Sequence, residues 1–374
     1  MKNKILIILG TRPEIIRLSC IMKKIEKYFL SVVVNTNQNF DKNLNRVFFK
    51  QLSLKEPNYS FPKKKYKNST NFIANAMKLV DSIIEYEKPN AVLVLGDTNS
   101  ALTVLSAKKR KIPIFHIEAG NRCYDQRVPE EINRILIDKI SDINMVYSDV
   151  AKNNLIKENF DLDKIIKIGS PLNEVFHAYK KNIESSKILK NLKLEKNNYI
   201  LVSCHREENV EKKENLKNIF ISIKKISKKL KKRVIFSMHP RTQSKVKKID
   251  KNLISNITFC KPFSYFDYMN LQINAQITIS DSGSIVEEAN ILNFPAVNLR
   301  ETTERQEGME KDFCIITSLN PINIVNSVEI VLKKFSSYKE TNIHNDYFET
   351  NVSDKVINII QSYVPYINRK VWSE

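Results

Sequence analysis

"ILIILGTRPEIIR", residues 5–17, opens with five apolar residues in a row, turns on Gly10 and places Pro13 where a helix would begin. An apolar run without polar alternation suits a strand buried on both faces, and proline is at home in the first turn of a helix. The stretch reads as strand, tight turn and helix, the opening of a parallel βαβ unit. Working outward, the same kind of run recurs as "SVVVNT" (31–36), "AVLVL" (91–95), "IPIFHI" (112–117), "INMVYS" (143–148), "YILVS" (199–203), "RVIFSM" (233–238), "AQITIS" (275–280) and "FPAVNL" (294–299), with helical patterns between. An α/β chain with parallel sheets is predicted. The polar stretch "YKKNIESSKILKNLKLEKNN" (179–198) separates two such series and puts a domain boundary near 172–190, between two Rossmann-like halves. "NVSDKVINIIQSYVPYI" (351–367) reads as a last amphipathic helix.

With 374 residues the chain suits two domains. No run of about 18 apolar residues occurs, so no membrane span is expected, and "MKNKILIILG" is too short and too soon interrupted for a signal peptide; a cytoplasmic protein is expected. Five scattered cysteines without a C-x-x-C pair indicate neither a disulfide framework nor a zinc site. The net charge of +20 would fit nucleic acid. In "LKNIFISIKKISKKLKKR" (216–233), however, Leu216, Ile219, Phe220, Ile223, Ile226 and Leu230 form one stripe and the lysines take the other face, which is a packed helix with a wet side. No nucleic-acid partner is expected; the basic field favours a small anionic substrate.

Only six glycines occur, where average usage of about 7% would give roughly 26. Gly10, Gly96, Gly120 and Gly283 each follow a strand pattern, where open α/β sheets bind ligands. None makes G-x-G-x-x-G, so no nicotinamide or flavin cofactor is expected. The helix start after Gly10 would offer N–H groups to a phosphate, with Arg12 and Arg17 adding charge; a capped helix with two exposed arginines would carry the same residues. "LGDTNS" (95–100) repeats the design with Asp97, which could equally be an N-cap. "FHIEAGNRCYDQRVPEEINR" (115–134) packs four carboxylates and three arginines behind an apolar strand. "SCHREENV" (203–210) and "SMHPR" (237–241) end two strands with His205 and His239, and "SDSGSIVEEA" (280–289) reads as a strand, a Ser-Gly-Ser phosphate cradle and a helix with Glu287 and Glu288 one turn in. "HIE" (116–118) lacks the P-C-x-x-C of zinc deaminases, and no H-E-x-x-H exists, so no metal is expected.

In that order "GTRPEIIR", "GDT", "HIEAGNR", "PEEINR", "HREEN", "HPR", "DSGSIVEEA" and "TTERQEG" resemble the non-hydrolysing bacterial UDP-N-acetylglucosamine 2-epimerase family across about residues 8–310. The resemblance implies a GT-B-like fold: two Rossmann-like domains facing a deep cleft, here 1–175 and 176–352, with a C-terminal helix, 353–374, crossing back to the first domain. It implies a homodimer, a UDP-N-acetylhexosamine substrate and no cofactor. Asp97, Glu118 and Glu130 match the family's catalytic carboxylates, and Arg12, Arg17 and His205 the groups that hold the pyrophosphate and leaving group. Ser282, Gly283, Ser284, Glu288 and Arg305 match UDP-binding positions.

Two departures bear on substrate. Asn39, in "TNQNFDKN" (36–43), replaces the histidine of members activated by a second UDP-sugar, which argues against such activation. "GNRCYDQRVPEEINR" with "HREENV" is most similar to the branch that makes UDP-N-acetyl-L-fucosamine for capsules and O-antigens. A GT-B glycosyltransferase would share the cradle but needs at most one base. A hydrolysing epimerase or a UDP-sugar sensor would share more, and only turnover separates them.

Overall fold

The computed structural model describes residues 2–38, 44–62, 64–310, 314–337 and 346–373; Asn39 lies outside them. The chain forms two compact units, Met1–Tyr179 with His344–Glu374, and Lys180–Ile343. The first division falls within the helix Pro171–Glu184, inside the stretch 172–190 read as the boundary, and Asp346 is tied to the first unit through Lys167 (3.0 Å).

In the first unit seven strands, β1 (Lys4–Leu9), β2 (Leu30–Asn35), β3 (Tyr59–Ser60), β4 (Ala91–Leu95), β5 (Ile114–Ala119), β6 (Ile143–Val146) and β7 (Ile165–Lys167), form one sheet in the order β3-β2-β1-β4-β5-β6-β7. Every pairing is parallel. The second unit repeats the plan with β8 (Tyr199–Ser203), β9 (Arg233–Ser237), β10 (Ile257–Cys260), β11 (Ile277–Ser280), β12 (Ala296–Leu299) and β13 (Cys314–Thr317), in the parallel order β10-β9-β8-β11-β12-β13. Both orders reverse direction once, between β1 and β4 and between β8 and β11. Open α/β sheets bind ligands beyond the carboxyl ends of the strands at such a reversal.

Local chemistry explains the elements that meet there. β1 is inaccessible from Ile5 to Leu9, as its unbroken apolar run requires. The helix Arg12–Tyr28 starts from Thr11, with Pro13 in its first turn and Glu14 closing a capping box, and buries Ile15, Leu18, Ile21 and Ile25 against the sheet. Gly10 packs so closely that a Cβ would sit 2.2 Å from both Thr36 Oγ1 and Ser100 Oγ, so only glycine fits. In the helix Lys213–Leu230 the predicted stripe is buried from Leu216 to Ile226, and Leu230 packs partly buried against the same core. The helix Val352–Ile367 belongs to the first unit: Asp354 pairs with Lys24 (2.8 Å) and the Ser353 N–H donates to Glu174 (2.8 Å).

Candidate active site

In the first unit two of the expected acid–base residues, Asp97 and Glu118, stand at the ends of β4 and β5. Asp97 follows β4 by one glycine, and its Oδ2 lies 2.7 Å from Arg134 Nη2. Glu118 sits inside β5, where the pairing with β6 shifts register between Ile117 and Ala119, and has φ +73°. Non-glycine residues avoid this left-handed region unless the surroundings impose it. The bulge turns the Glu118 carboxylate towards the helix Arg12–Tyr28 and β6: the Tyr147 hydroxyl donates to Oε2 (3.2 Å), and Arg17 Nη1 lies 3.8 Å from the same oxygen. Arg17 is buried and lies 5.8 Å from the Tyr147 ring centroid, so its charge faces Glu118 rather than solvent.

The helix start after Gly10 is closed by Glu14. Glu14 Oε2 accepts from the N–H groups of Gly10 (2.9 Å) and Thr11 (2.7 Å), and Oε1 accepts from Thr98 Oγ1 (2.9 Å). A carboxylate of the chain itself thus ties the Gly10 turn to the helix and to the loop after β4. Burial pushes the Glu14 carboxyl up to about 7 against these hydrogen bonds. Arg12 is half-buried and lies 5.8 Å from the Phe48 ring centroid.

Glu130 and Glu131 open the helix Pro129–Ile140, and they diverge. Glu130 is exposed, whereas Glu131 is buried, accepts from the N–H groups of Cys123 (3.1 Å) and Tyr124 (2.8 Å), and pairs with Arg134 (2.6 Å). Burial opposes its charge, but these donors hold it below the usual carboxylate range. Arg134 therefore joins Asp97 to Glu131. Its place three residues after Glu131 was readable in "PEEINR"; its contact with Asp97 was not.

In the second unit His205, Ser282 and Arg305 stand beyond β8, β11 and β12. Asp281, whose contacts the sequence does not show, organises the loop that carries His205. It is fully buried and accepts from the N–H groups of His205 (2.9 Å) and Arg206 (2.8 Å), and from Asn209 Nδ2 (3.1 Å). His205 Nδ1 lies 3.1 Å from Asp281 Oδ1, which leaves Nε2 on the far side of a ring about a third exposed (34%). Burial opposes ionisation of Asp281, yet the His205 ring and the N–H donors hold its carboxyl well below the usual range. The His239 ring lies 5.3 Å from that of His205, so the two histidines predicted at strand ends are brought together.

Around the Ser-Gly-Ser turn, Ser282 Oγ lies 3.0 Å from Ser284 Oγ, and Ser284 Oγ donates to Glu288 Oε1 (2.7 Å). Ser284 has φ −77°, an ordinary value. A Cβ on Gly283 would lie 2.6 Å from Glu304 Oε1, so the glycine allows the close approach of the Arg300–Glu304 pair (2.7 Å). Glu288 Oε2 accepts from Gln272 Nε2 (2.8 Å), and Arg305 Nη1 lies 3.3 Å from Glu287, so the two neighbouring glutamates face different partners. Donors and serine hydroxyls at a sheet reversal suit a nucleotide; the carboxylates of the first unit suit proton transfer.

Comparison with known proteins gives the chain's relatives. The chain matches the family described as UDP-N-acetylglucosamine 2-epimerase over residues 23–361. A solved UDP-N-acetylglucosamine 2-epimerase from Rickettsia bellii is 40% identical, with TM-score 0.89 and all of both chains covered. The Methanocaldococcus jannaschii UDP-GlcNAc 2-epimerase, solved in complex with UDP-GlcNAc and UDP, is 34% identical with TM-score 0.87, covering 96% of this chain and 99% of that one. A UDP-2,3-diacetamido-2,3-dideoxy-D-glucuronate 2-epimerase from Pseudomonas aeruginosa is 34% identical, covering 80% of this chain and 84% of its own length. The two parallel-sheet units are those of the GT-B-like fold of these epimerases.

Proposed function

The chain belongs to the UDP-N-acetylglucosamine 2-epimerase family of isomerases, and on that premise we propose that it inverts C2 of a UDP-N-acetylhexosamine by eliminating and re-adding UDP. The C2 hydrogen has no carbonyl beside it on the ring, so direct abstraction lies beyond a side-chain base. If a carboxylate takes that proton while the C1–O bond to UDP breaks, the electron pair of C2–H becomes the C1–C2 double bond of a 2-acetamidoglycal and UDP leaves with the C1–O electrons. Reversal with a proton delivered to the other face of C2 gives the epimer. Two faces call for two differently placed acid–base groups.

The observation that carries this reading is the Glu118 bulge. Two carboxylates, Asp97 and Glu118, stand at the ends of neighbouring strands in unlike surroundings, one against Arg134 and the other against Tyr147 and Arg17. Glu130, exposed at the same helix start, is the third acid–base candidate. Arg12, Arg17 and His205, whose Nε2 is turned outward by Asp281, serve the leaving pyrophosphate. Ser282, Gly283, Ser284, Glu288 and Arg305 hold UDP; for Glu288 and Arg305 this requires exchange of the contacts with Ser284 and Glu287.

For the sugar itself, the stretch "GNRCYDQRVPEEINR" supports UDP-2-acetamido-2,6-dideoxy-L-talose as substrate and UDP-N-acetyl-L-fucosamine as product. The relatives named for UDP-N-acetylglucosamine favour UDP-GlcNAc and UDP-ManNAc instead. Product analysis on both sugars tests this. The L-sugar reading predicts turnover at least about 10²-fold more efficient for the L-talose derivative, a gap of roughly 2.7 kcal/mol. Brisk turnover of UDP-GlcNAc alone overturns that assignment, and failure to turn over either sugar overturns the activity.

A further inference from the structure

His116 stands two residues before Glu118 on β5 and is fully buried. Its ring reaches in two directions. Nε2 lies 2.9 Å from the carbonyl oxygen of Gly96, the residue before Asp97, and Nδ1 lies 2.8 Å from Asp138 Oδ1 on the helix Pro129–Ile140. A carbonyl oxygen only accepts, so Nε2 donates to it.

Asp138 in turn holds the far side of the bulge. Its Oδ2 accepts from the Gly120 N–H (3.1 Å) and lies 2.7 Å from Arg122 Nη1, and Arg122 is clamped by Glu158 through two bonds (2.7 and 2.8 Å). Asp138, Arg122 and His116 are all at most 1% exposed. The peptide that carries Asp97 is fixed from both sides as well: the Gly96 N–H donates to the Ile117 carbonyl (2.9 Å), and Asn133 Nδ2 donates to the Asp97 carbonyl (2.8 Å). One imidazole thus links the backbone that presents Asp97 to the carboxylate that braces Glu118.

We propose that His116 is a positioning residue of the epimerase, holding Asp97 and Glu118 in one frame through its paired bonds to the Gly96 carbonyl and Asp138. Its ring lies behind the reacting carboxylates, where it sets the distance between two acid–base groups carried by separate strands. The proposal rests on the acid–base roles given above to Asp97 and Glu118. Proton transfer is steep in distance, and a displacement of about 1 Å costs about 10²-fold in rate.

The test separates the two bonds. His116→Asn keeps a donor near the Nδ1 position and loses the reach to Gly96; His116→Gln reaches Gly96 and loses Asp138. With melting temperature and UDP affinity as checks on folding, His116→Asn is expected to lower kcat about 10²-fold with KM within about twofold, and His116→Gln to restore at least about tenfold of that loss. A kcat for His116→Asn within about threefold of the unaltered enzyme, no restoration by His116→Gln, or a loss borne by KM would each overturn the proposal. Should neither variant fold, the unaltered chain labelled with 15N-histidine decides. An imidazole N–H that persists after transfer to D2O supports the clamp, and the absence of any such proton overturns it. Asp97→Asn and Glu118→Gln run in parallel: retained turnover there refutes the acid–base assignment itself, whereas lost turnover there with an active His116→Asn refutes only the role of His116.

Discussion

Glu118 occupies a backbone conformation that costs a non-glycine residue of order 1–3 kcal/mol and persists only where the surroundings impose it. The consequence for catalysis is direct. Glu118→Gln keeps the bulge and the shape while removing the proposed base, so kcat should fall by about 10²-fold or more with UDP affinity unchanged, as read by steady-state kinetics and calorimetry. Asp97→Asn should behave alike. Glu14 gives a prediction in pH. Its folded value near 7 lies above the ordinary 4.5, so the folded state binds the extra proton. The resulting stability is full below the unfolded value and is lost as pH rises through 7. Between pH 7.5 and 5.5 the unaltered protein should gain about 2 kcal/mol relative to Glu14→Gln in denaturant unfolding; parallel curves would contradict the assignment. The positions of Asp97 and Glu118 stand out in the sequence because each follows an apolar run, Asp97 directly after Gly96 and Glu118 two residues before Gly120. The partners do not. Nothing in linear spacing says that Arg134 meets Asp97, that Glu14 fills its own helix start, or that Glu131 turns inward while Glu130 faces water.

At the scale of elements, the nine apolar runs named from the sequence all correspond to strands, and the four strands without such a reading, β3, β7, β10 and β13, are the outer edges of the two sheets. An edge strand is covered less completely, so its side chains need not be uniformly apolar: β10 is only half-buried throughout, and β3 has just two residues. Central strands announce themselves; edges depend on a neighbour that the sequence does not identify. The loop between β11 and the helix Ile285–Leu292 shows the same limit, since Asp281 reads as a turn residue until the amides of β8's outgoing loop converge on it. Asp281→Asn replaces an acceptor with a group that partly donates. Unfolding of the second unit should lose roughly 2–3 kcal/mol at neutral pH. Because the folded carboxyl titrates below its ordinary value, this stability is present above the unfolded pKa and is lost as pH falls through the folded one. The gap between the two proteins should close in acid; a gap constant down to pH 3 would show that the charge is not what matters.

On the scale of the whole molecule, the chain forms two parallel-sheet units that carry different candidate residues. The first, with the helix Val352–Ile367 returned to it, holds Asp97, Glu118 and Glu130, and the second holds His205, His239 and the serine cradle. Among the described residues no helix is long and apolar enough to cross a membrane. The division follows from where glycine and charge fall at strand ends, which is why the overall plan could be read early and the exact limits of the units could not: the helix Pro171–Glu184 runs through the first boundary without a change in composition. The central claim is that C2 loses its proton as UDP departs and regains one from the site. It is tested most directly by turnover in heavy water, with the label at C2 read by NMR and mass spectrometry in both recovered substrate and product. Deuterium at C2 in both sugars, appearing no slower than epimerisation, is the predicted result. Epimer that retains its original C2 hydrogen would contradict the account.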